Sequence, residues 1–312
     1  MTGMSGLVAT NQPGFFPYPH FWRCGFLKKM QRRRLLISLL PMALLLCFVY
    51  GYSLINVGTS AFMGFTGSSA GQFVGLKNFQ LIKKDIPDTV WITLVWTFGS
   101  VIPAMIMGLA LAVICHRSFY GKKAVVSMNL IPYAIPLIIV ASCWRFVYNP
   151  DFGVLNVFLK ETGLVEKSIT FLGFDKALGS VIVARIWRAM PFAFMNYYSA
   201  LTTIPGELYE AAAIDGASAS QSFFNITLPN LRSVTTSTLL VLTVWTFMVF
   251  DIIFGMTGGG PINATRTLPM RIYQEMFGMK NLGTASAWSL IAIVVLVVIT
   301  IIYWNLIDKE EA

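Results

Sequence analysis

The segment Glu207-Leu208-Tyr209-Glu210-Ala211-Ala212-Ala213-Ile214-Asp215-Gly216-Ala217, followed by Phe223, Ile226, Leu228 and Pro229, decides how this chain is read. It is a polar island, about residues 202–232, between two long apolar runs. Its chemistry is local. Glu207 to Ala213 is rich in helix formers, and its acids fall in the first turns, where the positive end of the helix dipole favours them. Pro205 stands just before, where a missing N–H is tolerated. Gly216 can take the left-handed conformation that ends a helix. Ser218 is placed to cap a second short helix, and Pro229 to limit its far end. The expectation is a helix–turn–helix presented between two membrane spans.

The surrounding composition supports that setting. Hydrophobic residues make up 56% of the 312 positions and charged residues 12%. A soluble domain has roughly 25% charged residues. The mean hydropathy is +0.68. The chain therefore reads as all-α and polytopic in a membrane. Six apolar runs are long enough to span a bilayer: about 35–55, 90–114, 124–147, 178–201, 233–254 and 285–307. The basic block Lys28, Lys29, Arg32, Arg33 and Arg34 abuts the first run and predicts a cytoplasmic N-terminus. An even number of spans then returns the C-terminus, 308–312, to the same side. Residues 1–34 read as a cytoplasmic tail, because the apolar run that follows is longer than a signal-peptide core and no small-residue cleavage site follows it. Met30 stands as a conceivable alternative start. The net charge of +9 sits in short loops beside spans, which points to lipid headgroups and topology, not nucleic acid. The four cysteines, Cys24, Cys47, Cys115 and Cys143, lack C-x-x-C spacing and read as free thiols. With two histidines and no metal-ligand spacing, no metal site is expected. No G-x-x-x-x-G-K-[ST], G-x-S-x-G or H-E-x-x-H occurs, so no catalytic residues are assigned.

Four further runs carry a resemblance. They are Phe73-Val74-Gly75-Leu76-Lys77-Asn78-Phe79, Trp144 to Asn156 (W-R-F-V-Y-N-P-D-F-G-V-L-N), Thr257-Gly258-Gly259-Gly260-Pro261 with Thr265, Leu268 and Tyr273, and Gly283 to Ser289. Together with the E-A-A-x-x-D-G-A segment, in this order across residues 35–307, they resemble the permease subunits of ABC importers. The branch they are most similar to is the carbohydrate-uptake, maltose and glycerol-phosphate type. The resemblance implies a type I ABC importer permease fold in a bacterial inner membrane. It also implies a second homologous permease subunit, two ATPase subunits and an extracytoplasmic substrate-binding protein as partners. ATP and magnesium would belong to the ATPase subunits, with no cofactor on this chain. It further implies that Glu207, Glu210, Ala211, Asp215, Gly216 and Ala217 form the coupling helix that docks on an ATPase subunit.

Charges inside spans need a partner or a purpose. Arg185 and Arg188 are three apart in the fourth span and share a helical face with Phe192 and Asn196. Two readings stand open. In one, Arg185 pairs with Asp251 and Arg188 bonds carbonyls of a broken helix. In the other, both arginines meet an anionic substrate. Asn196, Tyr197, Trp245 and Asp251 complete the candidate pathway, Trp245 and Tyr197 as aromatic faces for a sugar. Pro103 and Pro191 are expected to kink the second and fourth spans. A secondary, ion-coupled transporter is the alternative function; it would need intramembrane acids or histidines, and Asp251 alone qualifies.

Overall fold

The computed structural model describes residues 20–65 and 71–311, with side chains over 38–65 and 71–305. The chain divides into two units at Asn56/Val57. The first consists, among the described residues, of helix α1 (His20–Ser60) up to that point. Residues 20–34, expected as tail, are helical and continuous with the first span. Residues 1–19 of that tail lie outside the described residues.

The second unit opens with a short antiparallel pair, β1 (Met63–Gly64) and β2 (Gln72–Phe73), then α2 (Lys77–Ile82). Asn78 clamps this turn by donating to the carbonyls of Ala61 and Met63, each at 2.9 Å. The helices that follow are α3 (Ile86–His116), α4 (Lys122–Ala134), α5 (Leu137–Val147), α6 (Val154–Glu161) and α7 (Ala177–Leu201). After them come α8 (Gly206–Ile214), α9 (Ala219–Ser222), α10 (Leu228–Asn230), α11 (Arg232–Met248), α12 (Asp251–Met256), α13 (Leu268–Tyr273) and α14 (Leu282–Glu311). Among the described residues, four helical stretches are individually long and apolar enough to cross a membrane, and six are reached when each of two bent pairs counts as one span.

The third and fifth spans differ from the expectation of single straight runs. The third is broken into α4 and α5, which meet at 102°. Pro136 lacks an N–H and pushes Ile135 out of the helical region, to φ −79° and ψ 132°. The fifth breaks at Val249, which is extended at ψ 120°, before α12 restarts. α3 and α7 remain helical through Pro103 and Pro191, each of which forfeits one backbone hydrogen bond.

Packing between α3 and α7 is the most extensive in the unit. Small residues allow it: a Cβ on Gly108 would lie 2.8 Å from both Ala193 Cβ and the Phe194 nitrogen. In lipid, where apolar surface gains nothing by leaving the solvent, such close approach and buried hydrogen bonds hold helices together. Trp96 Nε1 donates to the Thr246 carbonyl at 2.9 Å, joining α3 to α11. The Leu268 N–H donates to Thr93 Oγ1 at 2.9 Å, joining α13 to α3. The Thr243 and Tyr303 hydroxyls lie 3.1 Å apart, joining α11 to α14. Gly108→Leu should therefore destabilise the bundle by about 1–3 kcal/mol through overpacking. A lowered melting temperature of the purified protein, with Gly108→Ala intermediate, is the expected measurement.

Candidate functional site

Two places gather the residues singled out in the sequence. The first is the loop between α7 and α11. Here α8 ends in a Schellman motif, with the Gly216 N–H donating to Ala213 O (3.1 Å) and the Ala217 N–H to Ala212 O (2.8 Å). Gly216 has φ +77°, the left-handed value that motif requires. Ser218 caps α9 through a reciprocal box with Gln221. The tip exposes Glu207, Glu210, Ala211, Asp215 and Gly216, with Ala217 half-buried. Ile214 is 86% exposed, an apolar side chain standing among these acids. Tyr209 Oη and Thr227 Oγ1, 2.9 Å apart, tie the two arms of the loop together. Pro229 does not end the second arm. The backbone widens into one π turn over Phe223–Thr227 and the helix continues through Pro229 to Asn230. That turn shifts the ladder by one residue, with the Leu228 N–H reaching Phe223 O.

The second place is a cavity of about 350 Å³ in the second unit. Both broken spans contribute to its wall: Tyr133 and Leu137 flank the α4–α5 break, and Met248, Val249 and Asp251 flank the α11–α12 break. The helix α7 adds Arg185, Arg188, Ala189 and Phe192. Arg185 is 5% exposed and donates from Nε (3.2 Å) and Nη2 (2.8 Å) to Thr246 Oγ1. It forms no ion pair with Asp251, contrary to the pairing entertained above; the ion pairs among the described residues are Arg271 with Asp85 and with Glu275. Asp251 is instead exposed in the first turn of α12, where the helix dipole favours a carboxylate. Arg188 bonds no backbone carbonyl. Its guanidinium lies 4.6 Å from the centre of the Tyr133 ring, and its buried Nε has no hydrogen-bond partner.

Of the six pathway candidates, Arg185, Arg188, Trp245 and Asp251 line this cavity. Asn196 is turned back to the Phe192 carbonyl at 3.0 Å, and Tyr197 is buried in the core formed by α3, α7 and α11. The sequence reading missed Tyr133, Leu137 and Met248. For Tyr133 and Leu137 the signal was the Pro132/Pro136 pair, which marks where the third span opens; Met248 had no such signal. Outside the spans, burial first and then nearby Arg271 push the Arg266 guanidinium below its usual range, with Asp85 and Glu275 opposing. Among the described residues no group of three His, Cys, Asp or Glu is arranged to hold a metal ion.

Broken spans lining a mostly apolar cavity that carries two arginines and an aspartate, with a presented helix–turn–helix, fit a membrane permease subunit. Residues 104–309 match the family described as binding-protein-dependent transport system inner membrane component, and the chain belongs to that family. It is 32% identical over 284 residues to the sulfoquinovosyl glycerol transport system permease protein SmoG of Agrobacterium fabrum, covering 89% of this chain and 92% of that one. It is 34% identical over 234 residues to the trehalose/maltose transport system permease protein MalF of Thermococcus litoralis, covering 74% and 78%. The sn-glycerol-3-phosphate permease UgpA of Agrobacterium fabrum is 32% identical over 244 residues, covering 77% and 83%. Among solved structures, a bacterial ABC transporter that imports the acidic polysaccharide alginate superposes with a TM-score of 0.77 at 22% identity, covering 91% of this chain and 98% of that one. The chain is thus a multi-pass inner-membrane transport subunit of the carbohydrate-uptake ABC importers, with the type I permease fold, and not an enzyme.

The Arg185–Thr246 bond is the main polar link between α7 and α11 in the cavity wall. Thr246→Val removes the acceptor while keeping the shape, and leaves a buried cation without that partner. The expected loss is about 1–3 kcal/mol, read as a lowered midpoint of thermal unfolding in detergent. Replacement of exposed Trp245 by Phe should leave that midpoint within a degree or two.

Proposed function

We propose that this subunit imports a sugar or sugar derivative, anionic ones included, by coupling an ATPase cycle to alternating access through the loop at about 202–232. Glu207, Glu210, Ala211, Asp215, Gly216 and Ala217 dock on an ATPase subunit. A second homologous permease completes the bundle, and two ATPase subunits carry ATP and magnesium. An extracytoplasmic binding protein delivers the substrate. The permease domain is 35–307, with the tail 1–34 and the terminus 308–312 both cytoplasmic. The single observation that carries this reading is the loop itself. Its first arm and turn hold three exposed acids and an 86% exposed isoleucine that no described residue covers. Docking there would push on α7 and α11, which flank the loop in the chain and both contribute to the cavity wall. The relatives named for sn-glycerol 3-phosphate, trehalose/maltose and sulfoquinovosyl glycerol support a sugar-derived substrate.

Gly216 tests the coupling. A Cβ there meets nothing within 4 Å, so a substitution acts through the backbone angle and not through a clash. A β-branched residue is strained at φ +77° by a kcal/mol or more, whereas Asn tolerates the left-handed region. In the reconstituted transporter, Gly216→Val should lower substrate-stimulated ATP hydrolysis and uptake at least tenfold, and Gly216→Asn should retain most of both. Glu210→Lys should give the same loss with the complex still assembled. Wild-type uptake by Gly216→Val, or uptake by this chain alone in ATP-free liposomes, would overturn the reading.

A further inference from the structure

The two arginines of the cavity are not equivalent, and their difference names a substrate class. Arg185 is fixed: 5% exposed, with two of its nitrogens on one threonine hydroxyl. Arg188 is half-buried and its guanidinium carbon lies over the Tyr133 ring, 4.6 Å from the centre, while its Nε is buried without a partner. A guanidinium stacked on a ring keeps its in-plane donors free, and those donors match the two oxygens of a carboxylate, sulfonate or phosphate. Neither arginine forms an ion pair among the described residues, although Asp251 lines the same cavity. Two cations without an ion-pair partner in one cavity favour an anion there.

The rest of the wall fits a sugar ring attached to that anion. Tyr133, Phe192 and Trp245 form a continuous row of rings, with centroids 6.2 Å and 4.9 Å apart. Trp245 is 47% exposed, and the apolar C–H face of a pyranose can lie on such a row. The carboxylate of Asp251 can accept sugar hydroxyls. A volume of about 350 Å³ suits one or two sugar rings and not a long polymer.

We propose that this cavity selects small sugar derivatives carrying one compact anion, and that Arg188, positioned by Tyr133, makes the contact while Arg185 supplies fixed charge. The proposal rests on the importer reading and deepens it. It requires that the cavity attract anions even when no ATP is turned over, so it can be tested apart from transport.

The test uses the assembled transporter in proteoliposomes, with the native cysteines replaced by serine and the reporter Met248→Cys in the cavity wall. Its rate of reaction with a sulfonatoethyl methanethiosulfonate is compared with that of the trimethylammonioethyl reagent, each relative to a free thiol. The anionic reagent should be favoured at least tenfold. Arg188→Gln should erase most of that preference, and Arg188→Lys should keep it. Glucuronate and glucose 6-phosphate should protect the cysteine at concentrations at least tenfold below glucose. Tyr133→Leu should weaken protection by the anions more than by glucose, and Arg188→Lys, which lacks the planar fork, should do the same. Equal rates for the two reagents, or equal protection by glucose and glucuronate, would overturn the substrate class. If Arg188→Gln fails to assemble, Arg188→Lys and the protection series in the unmutated cavity still decide it. A preference lost with Arg185→Gln but kept with Arg188→Gln would overturn the assignment of the contact. Loss of ATP-dependent uptake with the anion preference intact would count against the importer reading alone.

Discussion

In hydrocarbon every backbone N–H and C=O must find a partner within the protein, and this single constraint organises the second unit. Two spans violate the regular helix, at Ile135–Pro136 and at Val249–Phe250. Irregular backbone at membrane depth is tolerated where it is buried in protein or lines a cavity. Both breaks meet that condition at the same place, because the short helices beyond them, α5 and α12, pack side by side. Their contact is close: a Cβ on Gly255 would lie 2.6 Å from Ala141 Cβ. The cavity is thus where the chain can afford non-helical backbone, and the polar residues follow it there.

The continuous helices do the opposite work. α3 and α7 pack along much of their length, and α7 carries both arginines into the cavity wall. At its C-terminal end α7 passes into the loop with Gly216, and the other arm of that loop enters α11 after a 62° bend. One rigid helix therefore links the loop to the cavity on one side, and a hydrogen-bonded helix links them on the other. Thr246 is doubly used in this link, its carbonyl taken by Trp96 of α3 and its hydroxyl by Arg185 of α7. Three helices that wall the cavity or support it converge on one residue, which makes a shift of α11 at the loop hard to separate from a shift at the arginines.

What was legible in the sequence was local. The turn at Gly216 and the cap at Ser218 depend on neighbours within a few residues, and both are present as read. The motif residues of the outer segments also proved local in their action. Asn156 donates to the carbonyls of Asn149 and Ile169 and accepts from the Ile169 N–H, folding the segment after α5. Thr265 bonds Thr257 at 2.6 Å and the Gly260 carbonyl at 3.0 Å, closing the glycine turn. What was not legible depended on packing. Pro103 and Pro191 marked candidate bends, yet the helix breaks instead at Pro136, whose preceding residue Ile135 leaves the helical region. The fifth span carries no proline at Val249, and nothing in its composition announced that α12 would restart there.

The misplaced expectation about Asp251 shows the same limit in electrostatic form. An acid near the outer end of the fifth span and an arginine at similar depth in the fourth read as a pair when both spans are straight. The break at Val249 changes the geometry: Asp251 becomes the first residue of a new helix, stabilised by that helix's own N-terminus and exposed. Arg185 then takes the nearest acceptor on the unbroken part of α11, a neutral hydroxyl, which balances a hydrogen bond but not a charge. The same break that opens the cavity therefore leaves its two cations without a carboxylate in ion-pair contact. A site built this way keeps its positive field for whatever enters it.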